Sequence, residues 1–175
     1  MLKADEFEIE ESETDETDGA AEVLTLVVDV SGSMFEGGKR LIARGVVREI
    51  EQYLRLGYGR AKLRLVAAGD EMRDVEWNQD EDVPEAVLDS KGTFNAAKLR
   101  EHLKGGSGRI LYIGDASWNA ASSKAMTVWT AELPPDSFRA IVVGCETPLT
   151  SRGYKTFAVE DVFAALDGFV GGGDA

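Results

Sequence analysis

From residue 22 onward, short continuous apolar runs alternate with longer segments whose apolar residues recur every three to four positions. The runs occupy residues 23–29 (VLTLVVD), 62–67 (KLRLVA), 109–115 (RILYIGD), 139–144 (RAIVVG) and, more weakly, 155–159 (KTFAV). Unbroken apolar runs of this length mark strands buried on both faces, as in a parallel sheet covered by helices. Residues 38–56, 94–104, 116–133 and 160–170 read as the helices between and after them. In the first of these, Leu41, Ile42, Val46, Ile50, Tyr53 and Leu54 supply the apolar stripe. In the last, Val162, Phe163, Leu166 and Phe169 do the same. The alternation predicts an α/β fold: a doubly wound, mostly parallel sheet with helices on both faces and right-handed crossovers.

One segment breaks the alternation. Residues 71–77 (EMRDVEW) follow the second run after only Gly69 and Asp70, too few for a crossover helix, so they are expected to turn back as an antiparallel edge strand. Their charges suit an edge, where they discourage unwanted pairing. Arg40, Arg44 and Arg48 lie four apart on another face of the first helix. A solvated helix face is the favoured reading of that row, ahead of a docking face for an acidic partner.

At 175 residues the chain is long enough for one domain with its own core. No stretch approaches the ~20 apolar residues of a membrane span, and the acidic start MLKADEFEIEE resembles neither a secretory signal nor a transit peptide. The expected location is therefore the cytoplasm, with no membrane association. A single cysteine, Cys145, and a single histidine, His102, exclude an internal disulfide and a Cys/His zinc cage, and give little support to a Cys/His catalytic pair.

The formal net charge of −13, from 19 basic and 32 acidic residues, opposes binding to nucleic acid. That charge is unevenly spread. Residues 1–20 hold nine acids and one base, leaving the remainder at only −5. Three parts follow: an acidic tail at 1–21 expected to be disordered, a folded domain at 22–170, and a flexible glycine-rich end at 171–175.

In an open parallel sheet, chemistry gathers at the carboxyl ends of the strands. Here the first run ends in Asp29-Val30-Ser31-Gly32-Ser33, the run at 109–115 ends in Asp115, and Gly92-Thr93 precedes a predicted helix. Two aspartates, two serines and a threonine form a set of hard oxygen donors with only two charges, suited to Mg²⁺ or Mn²⁺. For Asp29, Ser31, Ser33, Thr93 and Asp115 alike, capping of a helix is the competing reading. Met34, Phe35, Glu36, Ser117, Trp118 and Asn119 flank these strings and are candidates for a partner-binding rim. Packing over the sheet is the alternative for Phe35 and Trp118.

The string LVVDVSGSM, followed by Gly92-Thr93 and then by an apolar strand ending in Asp115, resembles the von Willebrand factor A (vWA) domain and its metal-ion-dependent adhesion site, the MIDAS. The resemblance covers roughly residues 22–170 and implies a Rossmann-like sheet. It implies one divalent cation, Mg²⁺ or else Mn²⁺ or Ca²⁺, at Asp29, Ser31, Ser33, Thr93 and Asp115, with one position left for an Asp or Glu of a partner protein. The family usually reads Thr-Asp-Gly at its last element, where this chain has Gly114-Asp115-Ala116, a departure that makes Ser117 an added donor candidate. Small prokaryotic members commonly work beside MoxR-type AAA+ ATPases, so the resemblance also implies an adaptor or subunit of such an assembly.

Two other functions remain open on the residues. A metal-dependent hydrolase or phosphotransferase could use the same pocket, although the chain lacks a D-x-D pattern at 29–33, a phosphate loop and any evident His or Lys base. A structural subunit with the metal as a staple is the other. The acidic tail, through carboxylates such as Glu13 or Asp15, is a candidate internal ligand for the site.

Overall fold

The computed structural model describes residues 22–89, 92–106, 108–144 and 153–171. Six strands form one sheet: β1 (Val23–Asp29), β2 (Lys62–Ala68), β3 (Met72–Val75), β4 (Arg109–Gly114), β5 (Phe138–Val142) and β6 (Lys155–Ala158), in the order β3-β2-β1-β4-β5-β6. All neighbours run parallel except β2 and β3, where Leu65 to Ala68 pair antiparallel with Val75 to Met72. The antiparallel edge strand is as the short 69–70 connection predicts. Its core is shorter than 71–77, because the charged ends gain little from pairing at an edge.

Among the described residues, four α-helices cover the sheet: α1 (Lys39–Arg55), α2 (Ala96–His102), α3 (Ala120–Glu132) and α4 (Val162–Leu166). Side chains alternate along each strand, so β1 serves two cores. Leu24, Leu26 and Val28 meet Val46, Val47 and Ile50 of α1 and Ala165 and Leu166 of α4. Val27 joins Tyr112 of β4, Leu99 of α2 and Met126 and Trp129 of α3 on the opposite face. The fold class expected from the alternation of runs and helices is the one observed.

Departures are local. A 3₁₀ segment, Gly32–Gly38, links β1 to α1, and a shorter one, Val159–Asp161, leads into α4. The arginine row on α1 is only partly the solvated face expected: Arg48 is exposed, whereas Arg40 and Arg44 are half-buried against the connection after β3. Arg44 donates from Nε and Nη2 to the Val83 carbonyl at 3.0 and 2.7 Å, Arg40 reaches the Leu88 carbonyl at 3.4 Å, and Arg48 pairs with Asp82. The row straps down the long connection after β3, whose Val83 and Val87 enter the core.

No helix among the described residues is long and apolar enough to cross a membrane. The tail at 1–21, Cys145 and residues 172–175 lie outside the described residues.

Candidate metal centre

β1 and β4 are neighbours, and the chain leaves β1 toward β2 on one side and β4 toward β5 on the other, in opposite directions. This is the topological switch point, where an open α/β sheet leaves a crevice at its carboxyl edge. The loops after β1 and β4 line that crevice, and they carry Asp29, Ser31, Ser33 and Asp115. Asp29 is 1% exposed, Ser31 4% and Asp115 7%.

The first loop is built around the Asp29 carboxylate. Its Oδ1 accepts from the Ser31 backbone N–H at 2.9 Å, which turns the chain so that the Ser31 and Ser33 hydroxyls come within 3.3 Å of each other. Neither serine caps a helix: Ser31, at the N-cap of the 3₁₀ segment, makes no side-chain capping bond. Gly32 donates its N–H to the Gly92 carbonyl at 2.8 Å, which brings the loop carrying Thr93 against the first loop. The Thr93 side chain is exposed, and the cap of α2 belongs instead to Asn95, which accepts from the Lys98 N–H at 3.0 Å. Thr93 thus stands at the margin of the centre, while Asp29, Ser31, Ser33 and Asp115 converge.

Asp115 likewise caps nothing, since Asn119 caps α3 through a 2.8 Å bond from the Ser122 N–H. Asp115 Oδ1 accepts from the Ser117 N–H at 3.1 Å, and its Oδ2 accepts from the Lys39 ammonium at the same distance. Ala116, at the family's glycine position, has φ 53°, a left-handed conformation that costs an alanine on the order of 1 kcal/mol. The loop therefore keeps a tight turn despite the lost glycine, and Ser117 is exposed.

Two residues of the centre escaped the sequence reading. Tyr112, fully buried on β4, donates its hydroxyl proton to Asp29 Oδ2 at 2.5 Å and accepts from the Ala116 N–H and from Trp118 Nε1, both at 3.1 Å. One phenol thus joins the β1 loop to the β4 loop. Burial is the main cause of an upward pKa shift for both Asp29 and Tyr112; bonds from Ser31 and Tyr112 partly counter it at Asp29, and the Asp115 charge adds to it. Lys39, the first residue of α1, is the second. It also lies 3.5 Å from the Ser33 carbonyl, so the expectation that no lysine stands near the pocket is corrected. Each carried a signal: a tyrosine inside a run buried on both faces needs a partner for its hydroxyl, and a cation in the first turn of a helix opposes the helix dipole.

The proposed rim divides. Phe35 is 57% exposed with the Arg40 guanidinium 4.0 Å from its ring centre, and Glu36 and Asn119 are also exposed. Met34 is corrected to a core residue at 1% exposure, because the 3₁₀ turn points it inward. Trp118 packs, with ring centres 5.3 Å from Phe94 and 5.0 Å from Tyr112. His102 is held at 3.1 Å by Asp74 of the edge strand.

Among the described residues there is no group of three or more His, Cys, Asp or Glu side chains that could hold a metal. A divalent ion here must draw on hydroxyls as well as carboxylates. The arrangement fits that demand in two respects: two serine hydroxyls converge beside two buried carboxylates, and a cation, the Lys39 ammonium, already occupies part of the crevice.

No protein-family model and no curated protein matches the chain. Solved structures do. The zinc-occupied MIDAS form of proximal thread matrix protein 1 from the mussel byssus aligns with a TM-score of 0.54 at 13% identity, over 84% of this chain and 46% of that one. Manganese-loaded TRAP protein of Plasmodium vivax gives 0.53 at 13% identity, over 86% and 74%. An aerotolerance-related membrane protein from Bacteroides fragilis gives 0.51 at 14% identity, over 73% and 70%. The chain thus spans less than half of the mussel protein. Strand order, the crevice at the switch point and these likenesses agree that the chain has the fold of von Willebrand factor A domains.

Proposed function

We propose that the chain is a metal-dependent protein-binding domain, in which Asp29, Ser31, Ser33 and Asp115, with Thr93 at the margin, hold one divalent cation that captures a carboxylate of a partner protein. The observation that carries this reading is the convergence of the two loops on one crevice, where two hydroxyls meet beside the buried Asp29 carboxylate and a cation, the Lys39 ammonium, is already paired with the buried Asp115 carboxylate. The zinc-occupied MIDAS of the mussel protein and the manganese-loaded TRAP protein support a divalent ion, and Mg²⁺ is the choice that ligand hardness favours. Held by two neutral hydroxyls and only two carboxylates, such an ion would stay electrophilic and would add a strong charge-assisted bond to an incoming Asp or Glu. Exposed Phe35 beside the crevice supplies an apolar contact for the same partner.

The finer reading is an adaptor or subunit in the cytoplasm, with a MoxR-type AAA+ ATPase as one partner class. Its support is the family resemblance of the 29–34 string, and no enzyme activity is proposed.

Co-purification in Mg²⁺ and in EDTA, with wild type and with Asp29→Ala, tests the proposal. A partner retained only by wild type in Mg²⁺ is the expected result. Identical captures in all four arms refute it, and turnover of a phosphoester or peptide that Asp29→Ala abolishes replaces it with the hydrolase reading.

A further inference from the structure

We propose that Lys39 is a tethered counter-cation of the metal centre, so that a divalent ion loads only by displacing its ammonium from Asp115. This inference rests on the reading of the crevice as a metal site and concerns how that site is regulated.

The ammonium sits 3.1 Å from Asp115 Oδ2 and 3.5 Å from the Ser33 carbonyl, contacts that both belong to residues proposed to hold the metal. Asp115 is almost completely buried in this pair, at 3% side-chain exposure, and Lys39 is mostly buried at 21%. The lysine stem has a fitted path into the crevice. It runs over Gly144, where a Cβ would come within 3.0 Å of its Cε and 3.4 Å of its Cδ and Cγ. Gly144 has φ +71°, which also favours glycine.

The placement goes against the local preference of the helix. Lys39 opens α1, where the dipole disfavours a cation, so the attraction that holds it must come from the crevice. The source is evident: Asp29 and Asp115 lie close enough for the charge of one to act on the other, and both are out of water. Without metal, two such carboxylates need a compensating charge, and Lys39 provides it. A divalent ion seeks the same oxygens, and a flexible four-carbon stem lets the ammonium swing out to solvent without moving α1. The apparent metal affinity is then the intrinsic one reduced by the occupancy of the lysine-closed state.

Binding of Mg²⁺ and Mn²⁺ alone is measured by calorimetry on the full chain as wild type, Lys39→Met and Lys39→Arg, together with thermal unfolding in EDTA. Removing a positive charge next to the ion should tighten binding by about tenfold or more. Lys39→Met should also unfold at lower temperature than wild type in EDTA, and Lys39→Arg, which keeps the charge, should stay near wild type in affinity. Equal affinities for wild type and Lys39→Met overturn the proposal while leaving the metal site intact. Failure of every form to bind either ion at millimolar concentration removes the metal site and this inference together. If Lys39→Met does not fold, wild type decides alone: reductive methylation read by mass spectrometry should accelerate at Lys39, relative to the other lysines, when Mg²⁺ is added. An unchanged rate refutes displacement.

Discussion

Tyr112→Phe deletes one oxygen atom, yet that oxygen joins three groups from two loops. The lost bond to Asp29 Oδ2 is to a carboxylate in a fully buried position, worth ~1.5–3 kcal/mol. The Ala116 N–H, in a residue 7% exposed, loses the acceptor that stands 3.1 Å away, at a cost of ~1–3 kcal/mol. The void left is smaller than a methyl group and adds little. Because the phenol also loses a desolvated hydroxyl, the net falls near the lower end of the sum, about 3 kcal/mol. For a domain of this size such a loss corresponds to roughly 6–12 °C in midpoint.

Urea unfolding in EDTA, followed by intrinsic tryptophan fluorescence, to which Trp118 against the Tyr112 ring contributes, measures the effect. A double-mutant cycle with Asp29→Asn isolates the pair, with an expected coupling of about 1.5 kcal/mol or more. A loss below about 1 kcal/mol, or additive single effects, refutes the phenol as the link between the loops.

Ala116→Gly relieves the left-handed strain at φ 53° and should stabilise the metal-free protein by about 0.5–1 kcal/mol in the same assay; destabilisation refutes strain at this turn. Arg44→Ala, which releases the Val83 carbonyl, should cost roughly 1 kcal/mol and speed hydrogen exchange at residues 78–89 without changing β1 or β4. Arg139→Met should cost roughly 3 kcal/mol by urea unfolding, because the buried guanidinium donates to the Ala165 and Asp167 carbonyls at 2.9 Å, closing the end of α4. The bond from Arg139 lowers the pKa of Asp136 from 3.8. A lowered folded-state pKa contributes stability that is present above the unfolded value and lost as pH falls through the folded one. The stability gap between wild type and Asp136→Asn should therefore close below about pH 3.8; a gap independent of pH refutes the ionic contribution.

Much of this fold is written in local pattern, and much of the site is not. The run at 23–29 is recovered to the residue because an apolar string followed by Asp-x-Ser-x-Ser has one reading as a buried strand and its exit loop. The roles of Arg40 and Arg44 are not legible in the sequence because their acceptors are backbone carbonyls of a connection with almost no regular structure, and carbonyls leave no trace in residue type. Met34 is expected on the rim only because it flanks the Asp29–Ser33 string, whereas the chain there already turns with 3₁₀ geometry and buries it. Tyr112 and Lys39 act on partners 83 and 76 positions away. Neither pairing follows from spacing; both follow once β1 and β4 are known to be neighbours.

If the crevice captures a partner carboxylate as proposed, its charge gives a reason for that capture to depend on metal. Without an ion, Asp29 and Asp115 against Lys39 leave the crevice at −1 when both acids are ionised, which repels an incoming carboxylate. On the proposed reading, a divalent cation held by these residues with the lysine swung outward would change the count to zero and would concentrate positive charge at one electrophilic point. On that reading, the change in sign at the binding point, more than the net charge, would create the affinity. Since the protein carries −13 overall, long-range attraction contributes nothing toward an acidic partner, and screening by salt at about a 10 Å Debye length should leave the local bond largely intact. Partner capture is accordingly expected to be abolished by EDTA yet to tolerate 0.5 M NaCl, roughly the regime where surface ion pairs are lost. Capture that survives EDTA and disappears in salt would place the interaction on the surface charges and away from the crevice.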